Sequence, residues 1–317
     1  MSGQGQLLDR ELLVVTGKGG VGKTTIAAAL ALACARTGRR TIVCEVQGQS
    51  AVPRLFGHAG PVRPGEETQV AQGVWATTID PERALAEWAG SEVLPRPLVE
   101  LLMRSATFSS FVAAAPGARE LVTATKAWEL GRTGGDRGRR WSARAGYDVV
   151  VLDAPASGHG LALLRAPRTF ADIARVGPVA VQARRAAELL EDASRTGVIA
   201  VARAEETPVN EVLEFEARCT DAIGHGPALI LANAIRGYAL RAAERELVAA
   251  AGPRLPAAVG SALVTRAARL RVQDAQLHRL RRHASAPVTA LPLLHGDGVG
   301  ADDLDVLARR LATAIGR

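Results

Sequence analysis

The stretch Gly17-Lys18-Gly19-Gly20-Val21-Gly22-Lys23-Thr24-Thr25 constrains this chain more than any other. The apolar run Leu12-Leu13-Val14-Val15 leads into it and predicts a buried strand. The alanine- and leucine-rich run from Thr24 to Ala35 follows and predicts a helix. A strand, a glycine-rich turn and Gly22-Lys23-Thr24 at the start of a helix satisfy the phosphate-loop pattern G-x-x-x-x-G-K-[ST]. Gly17, Gly19, Gly20 and Gly22 let the backbone curl so that its N–H groups point at phosphate oxygens. The positive end of the following helix faces the same anion. Lys23 is the candidate for the β/γ phosphates and the Thr24 hydroxyl the candidate Mg2+ ligand, with Val21 and Thr25 completing the cradle.

Gly17-x-Gly19-x-x-Gly22 also fits the dinucleotide fingerprint, and Glu45 stands near the place of its ribose-binding acid. The Lys-Thr pair directly after the third glycine argues against that reading, because a dinucleotide site gains nothing from a lysine and a metal-binding hydroxyl there. Cation usage points the same way. Of the 39 basic residues only three are lysines, and two of those, Lys18 and Lys23, lie in this one loop. A compact ammonium serves a crowded phosphate site where a forked guanidinium does not fit.

Length, charge and cysteine content narrow the class. A chain of 317 residues with 48% hydrophobic and only 3% aromatic residues builds its core from Ala, Val, Leu and Ile. The net charge of +7 admits acidic partners, but few aromatics are available to interleave with arginine as base-stacking platforms, so nucleic acid is not expected. Cys34, Cys44 and Cys219 form no C-x-x-C, which argues against a disulfide framework, a zinc site or an iron–sulfur cluster. No opening segment reads as a signal peptide and no apolar run approaches a membrane span, so a cytoplasmic protein is expected.

Periodicity predicts strands at 11–16, 40–45, 74–79, 147–153, 197–203, 228–233 and 288–293. Helices are predicted over 23–37, 117–130, 161–175, 179–193, from Thr207-Pro208 to about 222, over 235–250, 257–282 and 301–315. The first ten residues are expected to be loose, and 46–72 to be loop with a short helical turn at 50–56. Alternation of strand and helix predicts an α/β, doubly wound, mostly parallel sheet. Residues 1–80 and 145–317 form its expected core. Residues 81–144 are the expected inserted helical subdomain, with helices at 81–89 and 94–113, an apolar face of Leu98, Val99, Leu101, Leu102, Phe108, Phe111 and Val112 that suits either a client groove or a plain packed subdomain, and an arginine-rich loop at 131–145.

Lys18 carries a second message. Lys-Gly-Gly-Val-Gly-Lys-Thr-Thr resembles the deviant Walker A loop of the ATPases that include the chromosome-partition, septum-site, nitrogenase iron-protein and arsenite-pump enzymes. Asp153-Ala154-Pro155-Ala156-Ser157-Gly158-His159, after four apolar residues, resembles the D-T-A-P-T-G-H switch of the arsenite-pump and tail-anchored-protein targeting ATPases. The resemblance implies an ATPase that switches as a dimer, with Lys18 reaching the partner's nucleotide, and with Asp153 near Mg2+. It implies Pro155, Gly158 and His159 as the switch. It implies Asn233 at the adenine edge, with Pro292 and Leu293 along the base, and Pro116-Gly117-Ala118-Arg119-Glu120 as an element near the dimer centre. Glu45 falls where that family places a water-positioning aspartate within D-P-A-H; here the sequence is Glu45-Val46-Gln47-Gly48. The expected function is a Mg2+-dependent ATP-hydrolysing dimeric switch with a possible protein client. The alternatives are a partition-type ATPase binding DNA or membrane, and an ATP-binding subunit of a heterodimer with a paralogue.

Overall fold

The computed structural model describes residues 7–46, 50–58, 60, 63, 65–85, 117–131, 146–174, 176–237, 241–294 and 298–315. In chain order its main elements are β1 (Leu12–Gly17), α1 (Lys23–Ala35), β2 (Thr41–Val46), α2 (Ala51–Leu55), β3 (Thr68–Ala71), β4 (Val74–Ile79), α3 (Ala118–Leu130), β5 (Val149–Ala156) and α4 (Ser157–Ile173). There follow α5 (Pro178–Glu191), β6 (Thr196–Arg203), α6 (Glu206–Ile223), β7 (Leu229–Ile235), α7 (Ala242–Ala251), α8 (Ala257–His283), β8 (Val288–Pro292) and α9 (Ala301–Ile315).

The strands form one eight-stranded sheet in the order β3-β4-β2-β5-β1-β6-β7-β8. All neighbours are parallel except the β3–β4 pair at one edge. Both faces of the central strands are covered, which is why they read as unbroken apolar runs rather than alternating ones. Leu12 and Val14 pack in one layer with Tyr147, Leu163, Leu164, Val212 and Leu280. Leu13 and Val15 pack in the other with Ile26, Leu30, Leu304 and Leu311 of α1 and α9. The direction of sheet growth reverses at β1, which lies between β5 and β6. The crevice outside the carboxyl ends of these strands is where an open α/β sheet takes its ligand.

Several boundaries differ from the sequence expectation, each for a physical reason. The first ten residues are not all loose: Leu7 and Leu8 are buried in a short 3-10 turn and pack on the α1 and α9 layer. Thr68–Ala71 is a strand inside a stretch expected to be loop, because four residues too short to show a period gain their pairing from β4. Helix α6 starts at Glu206 with Glu205 as its cap, so Thr207 and Pro208 lie inside the first turn. Proline is tolerated there because first-turn N–H groups have no intrahelical acceptor. Strand β7 runs to Ile235 and α7 begins only at Ala242, where the sequence pattern predicts a helix from 235. Residues 86–116 and 132–145, including Leu98, Phe108, Phe111, Pro116 and the basic loop, lie outside the described residues. Residues 81–85 are helical, and α3 buries Ala124, Ala127 and Leu130 in the sheet's own core.

Candidate functional site

The turn between β1 and α1 stands at the reversal point of the sheet. Gly22 has φ +95°, a left-handed conformation, and a side chain there would collide with the Asn233 amide. Val21 is buried beneath the turn while Gly19 and Gly20 are exposed. The Lys23 Nζ donates to the Lys18 carbonyl at 3.1 Å, so the ammonium curls back over the turn. Burial pulls its pKa below the ordinary lysine value, against the opposing pull of the Asp153 charge. The Lys18 ammonium is half-exposed and pairs with Glu211 Oε1 on α6 at 2.9 Å.

Sheet register brings the two acids together. Glu45 on β2 and Asp153 on β5 are direct Cα partners in a parallel pair, so both side chains leave the same face. Val15 of β1 is the partner of Asp153 on its other side, which sets that carboxylate beside the turn. The Thr24 hydroxyl donates to Asp153 Oδ2 at 2.5 Å. Asp153 Oδ1 is buried and has no hydrogen-bond partner among the described residues. Burial raises the Asp153 pKa, while the Thr24 hydrogen bond and Lys23 oppose the rise. Glu45 is 4% exposed, and its two oxygens accept from the N–H groups of Ala51 (2.8 Å) and Val52 (3.1 Å) at the start of α2. Burial dominates and pushes its pKa up to about 7 despite those two hydrogen bonds.

The residues expected to form the switch are not in a loop. Strand β5 continues three residues past Asp153, because Ala156 still pairs with Gly17 of β1 across a bulge. Helix α4 then starts at Ser157, which puts Gly158 and His159 in its first turn. Gly160 follows and lies so close to the Thr16 hydroxyl that no side chain fits between them. The first turn of α4 therefore rests directly on the strand that feeds the glycine turn. His159 is 75% exposed, with Nδ1 at 3.8 Å from Glu120 Oε1 on α3.

Asn233 does not end its strand, and its Nδ2 donates to the Val21 carbonyl at 2.9 Å. Its amide thus ties β7 to the glycine turn. Pro292 closes β8, and the Leu293 N–H donates to the Ile235 carbonyl at 2.9 Å, so both stand beside β7 at the carboxyl edge. The three cysteines are buried, and burial raises the Cys34 and Cys219 thiols to about 12. Two residues of the site were missed as partners from sequence. Glu211 has no local signal, since only the β1–β6 pairing brings α6 to Lys18. Glu120 belongs to the Pro116–Glu120 element, but its link to His159 needs the packing of α3 on α4.

A divalent cation fits these residues. An aligned hydroxyl and carboxylate with one buried, unpartnered carboxylate oxygen form a hard-oxygen donor set suited to Mg2+, which keeps waters for its other positions. Among the described residues there is no cluster of three or more His, Cys, Asp or Glu side chains.

A strand, glycine turn and Lys-Thr helix start at the reversal point of a parallel sheet define a P-loop nucleoside-triphosphatase fold. More narrowly, the chain belongs to the anion-transporting ATPase (ArsA) family, whose model matches residues 10–178. It is 33% identical over 209 residues to "ATPase BagA" of Mycobacterium tuberculosis, covering 64% of this chain and 59% of that protein. It is 30% identical over 234 residues to a "Putative arsenical pump-driving ATPase" of Halobacterium salinarum, covering 70% of this chain and 35% of the relative. Against an "Arsenical pump-driving ATPase" of Escherichia coli the identity is 26% over 224 residues, covering 63% and 35%. The chain thus spans under two thirds of the length of each.

Proposed function

We propose that this chain is a Mg2+-dependent ATPase that works as a nucleotide-switched dimer, with a second copy or with a paralogue, and passes its state to a protein partner. The observation that carries the proposal is the in-register placement of Glu45 and Asp153 beside a turn whose Thr24 hydroxyl bonds Asp153 and whose Lys23 charge acts on the same carboxylate. ATP binding replaces the Lys18 carbonyl at Lys23 with phosphate oxygens, which are better acceptors for an ammonium. Thr24 and Asp153 hold Mg2+, which when bound supplies positive charge to the phosphate oxygens. Glu45 orients the attacking water as its oxygen bonds to the γ-phosphorus and the bond to the β–γ bridging oxygen breaks. Lys18 leaves Glu211 for the nucleotide of the facing subunit. Loss of the γ-phosphate is felt at Asp153 and travels through the continuous β5–α4 junction to His159, Glu120 and α3.

Light scattering with and without Mg2+ and a non-hydrolysable ATP analogue tests the dimer. A dimer that forms or tightens with nucleotide, and fails in Lys18→Ala, supports it; no nucleotide effect in a chain that binds the analogue overturns the homodimer form. Hydrolysis by Lys23→Ala and Asp153→Ala tests the chemistry, with a fall of about 100-fold or more expected for Lys23→Ala. Unchanged turnover in both variants overturns the assignment.

One observation favours a second reading. Glu45 is 4% exposed and both its oxygens are held by the start of α2, so water reaches the carboxylate only when that packing loosens. A subunit that binds ATP but turns over only beside a paralogue would keep Glu45 in that position. Hydrolysis that appears only when a paralogue is mixed in would select this reading.

A further inference from the structure

One long helix of the chain is strongly basic. Helix α8 carries Arg266, Arg269, Arg271, Arg279, Arg281 and Arg282 against a single acid, Asp274, a net of five positive charges in a chain whose total is +7. All six arginines are exposed, and among the described residues none of them forms an ion pair. Exposed aliphatic surface gathers on the same hairpin. Leu247 (72% exposed) lies on α7, Leu255 at the tip, and Val259, Val264 and Val272 on α8, each of the valines about half exposed.

Part of each feature shares one side of the helix: Val264 and Val272 with Arg271, Arg279 and Arg282. Val264, Ala268, Arg271, Ala275, Arg279 and Arg282 follow at steps of three and four residues and are all exposed. Residues so spaced line one helix face. Leu270, Leu277 and Leu280 are buried on the opposite face. Helix α7 has no buried residue, and the hairpin is closed by Gly260 packed against the Gly252 backbone. Core packing therefore does not account for the aliphatic residues at its tip, and helix solvation does not account for their mixing with arginine.

We infer that the α7–α8 hairpin is a docking surface for an anionic lipid bilayer. The chemistry selects this occupant: arginines attract a negatively charged headgroup layer, and the exposed leucine and valine side chains of the same hairpin enter the boundary beneath it. Among the described residues no helix is long and apolar enough to cross a membrane, so the association is peripheral. Nucleic acid would use the arginines but gains nothing from exposed leucine and valine, and the hairpin offers no aromatic platform for bases. The inference is independent of the dimer switch, since no residue of the nucleotide site takes part.

The test is vesicle flotation of the full chain with phosphatidylcholine alone and with phosphatidylcholine containing 30% phosphatidylglycerol. The expected result is at least tenfold stronger binding to the anionic vesicles, weakened severalfold between 50 and 300 mM NaCl as screening shortens. The triple variant Arg271→Gln, Arg279→Gln, Arg282→Gln should lose at least tenfold in binding, with unaltered circular dichroism and ATP hydrolysis. Leu247→Ser with Leu255→Ser should weaken binding while leaving its salt dependence in place. Equal partition onto both vesicle types, or anionic binding that survives the triple variant, overturns the inference. So does arginine-dependent binding confined to duplex DNA or to an acidic polypeptide, which would assign the face to that partner.

Discussion

The proposed chemistry draws its pH dependence from Glu45. Its pKa is raised by burial from 4.5 to about 7, so between those values the folded chain holds a proton that the unfolded chain releases. This group's contribution to stability is therefore fullest below pH 4.5 and is lost as pH rises through 7. The loss is on the order of 3 kcal/mol. Denaturant titrations at pH 5 and pH 8 should show it, and Glu45→Gln should flatten the slope. Activity runs the opposite way, because a water-orienting carboxylate must be ionised. The proposed hydrolysis rises about tenfold per unit below pH 7 and levels above it, and a profile without that inflection removes Glu45 from the chemistry. Lys18 yields a smaller effect. Its ion pair with Glu211 is half-exposed and is worth under about 1 kcal/mol, so Glu211→Gln should lower the nucleotide concentration needed for dimer formation by no more than about fivefold. An increase in that concentration would mean that Glu211 aids the closed state.

At the scale of elements, α1 and α4 join the site to the rest of the fold. Helix α1 is buried continuously from Ile26 to Ala31, so it is held by packing on the sheet and on α9 rather than by an amphipathic stripe. Leu30→Ala leaves a cavity with little room to collapse among alanines, and should cost about 3 kcal/mol in chemical denaturation. The start of the same helix carries Lys23 and Thr24, so nucleotide affinity should fall along with stability. Helix α4 joins β5 without an intervening loop, which makes it a stiff coupling between Asp153 and His159. Hydrogen exchange in α3 should slow when the ATP analogue binds, and His159→Ala or Glu120→Ala should abolish that response while leaving binding intact. A response that survives both variants would move the coupling to another contact.

For the whole molecule, ligand binding and stability are one measurement. A nucleotide that binds only the folded chain stabilises it by about 2.7 kcal/mol at 100 times its Kd. Thermal unfolding should therefore shift upward with ATP analogue and Mg2+. Chelation of the metal should reduce the shift, and Lys23→Ala should remove it. A shift of equal size with and without metal would take Thr24 and Asp153 out of the metal role.

The sequence determined the parts of this protein that rest on local chemistry. Strand, glycine turn and Lys-Thr helix start were legible because a run of buried aliphatic residues and a turn of glycines follow from backbone rules over a dozen residues. The parallel α/β class followed from the alternation of such runs. Asp153 was legible because an acid directly after four apolar residues is delivered by a buried strand to the ligand-binding edge of the sheet. What only the tertiary structure decided depends on register and on contacts between distant segments. The pairing of Glu45 with Asp153 comes from the alignment of β2 with β5, 108 residues apart in their numbering. The Glu45 hold on α2, the Lys18–Glu211 pair and the Asn233 tie to Val21 join groups that no local pattern relates. Strand β3 and the extension of β5 past Asp153 exist because neighbouring strands supply their hydrogen bonds, an influence that no period within the segment itself records.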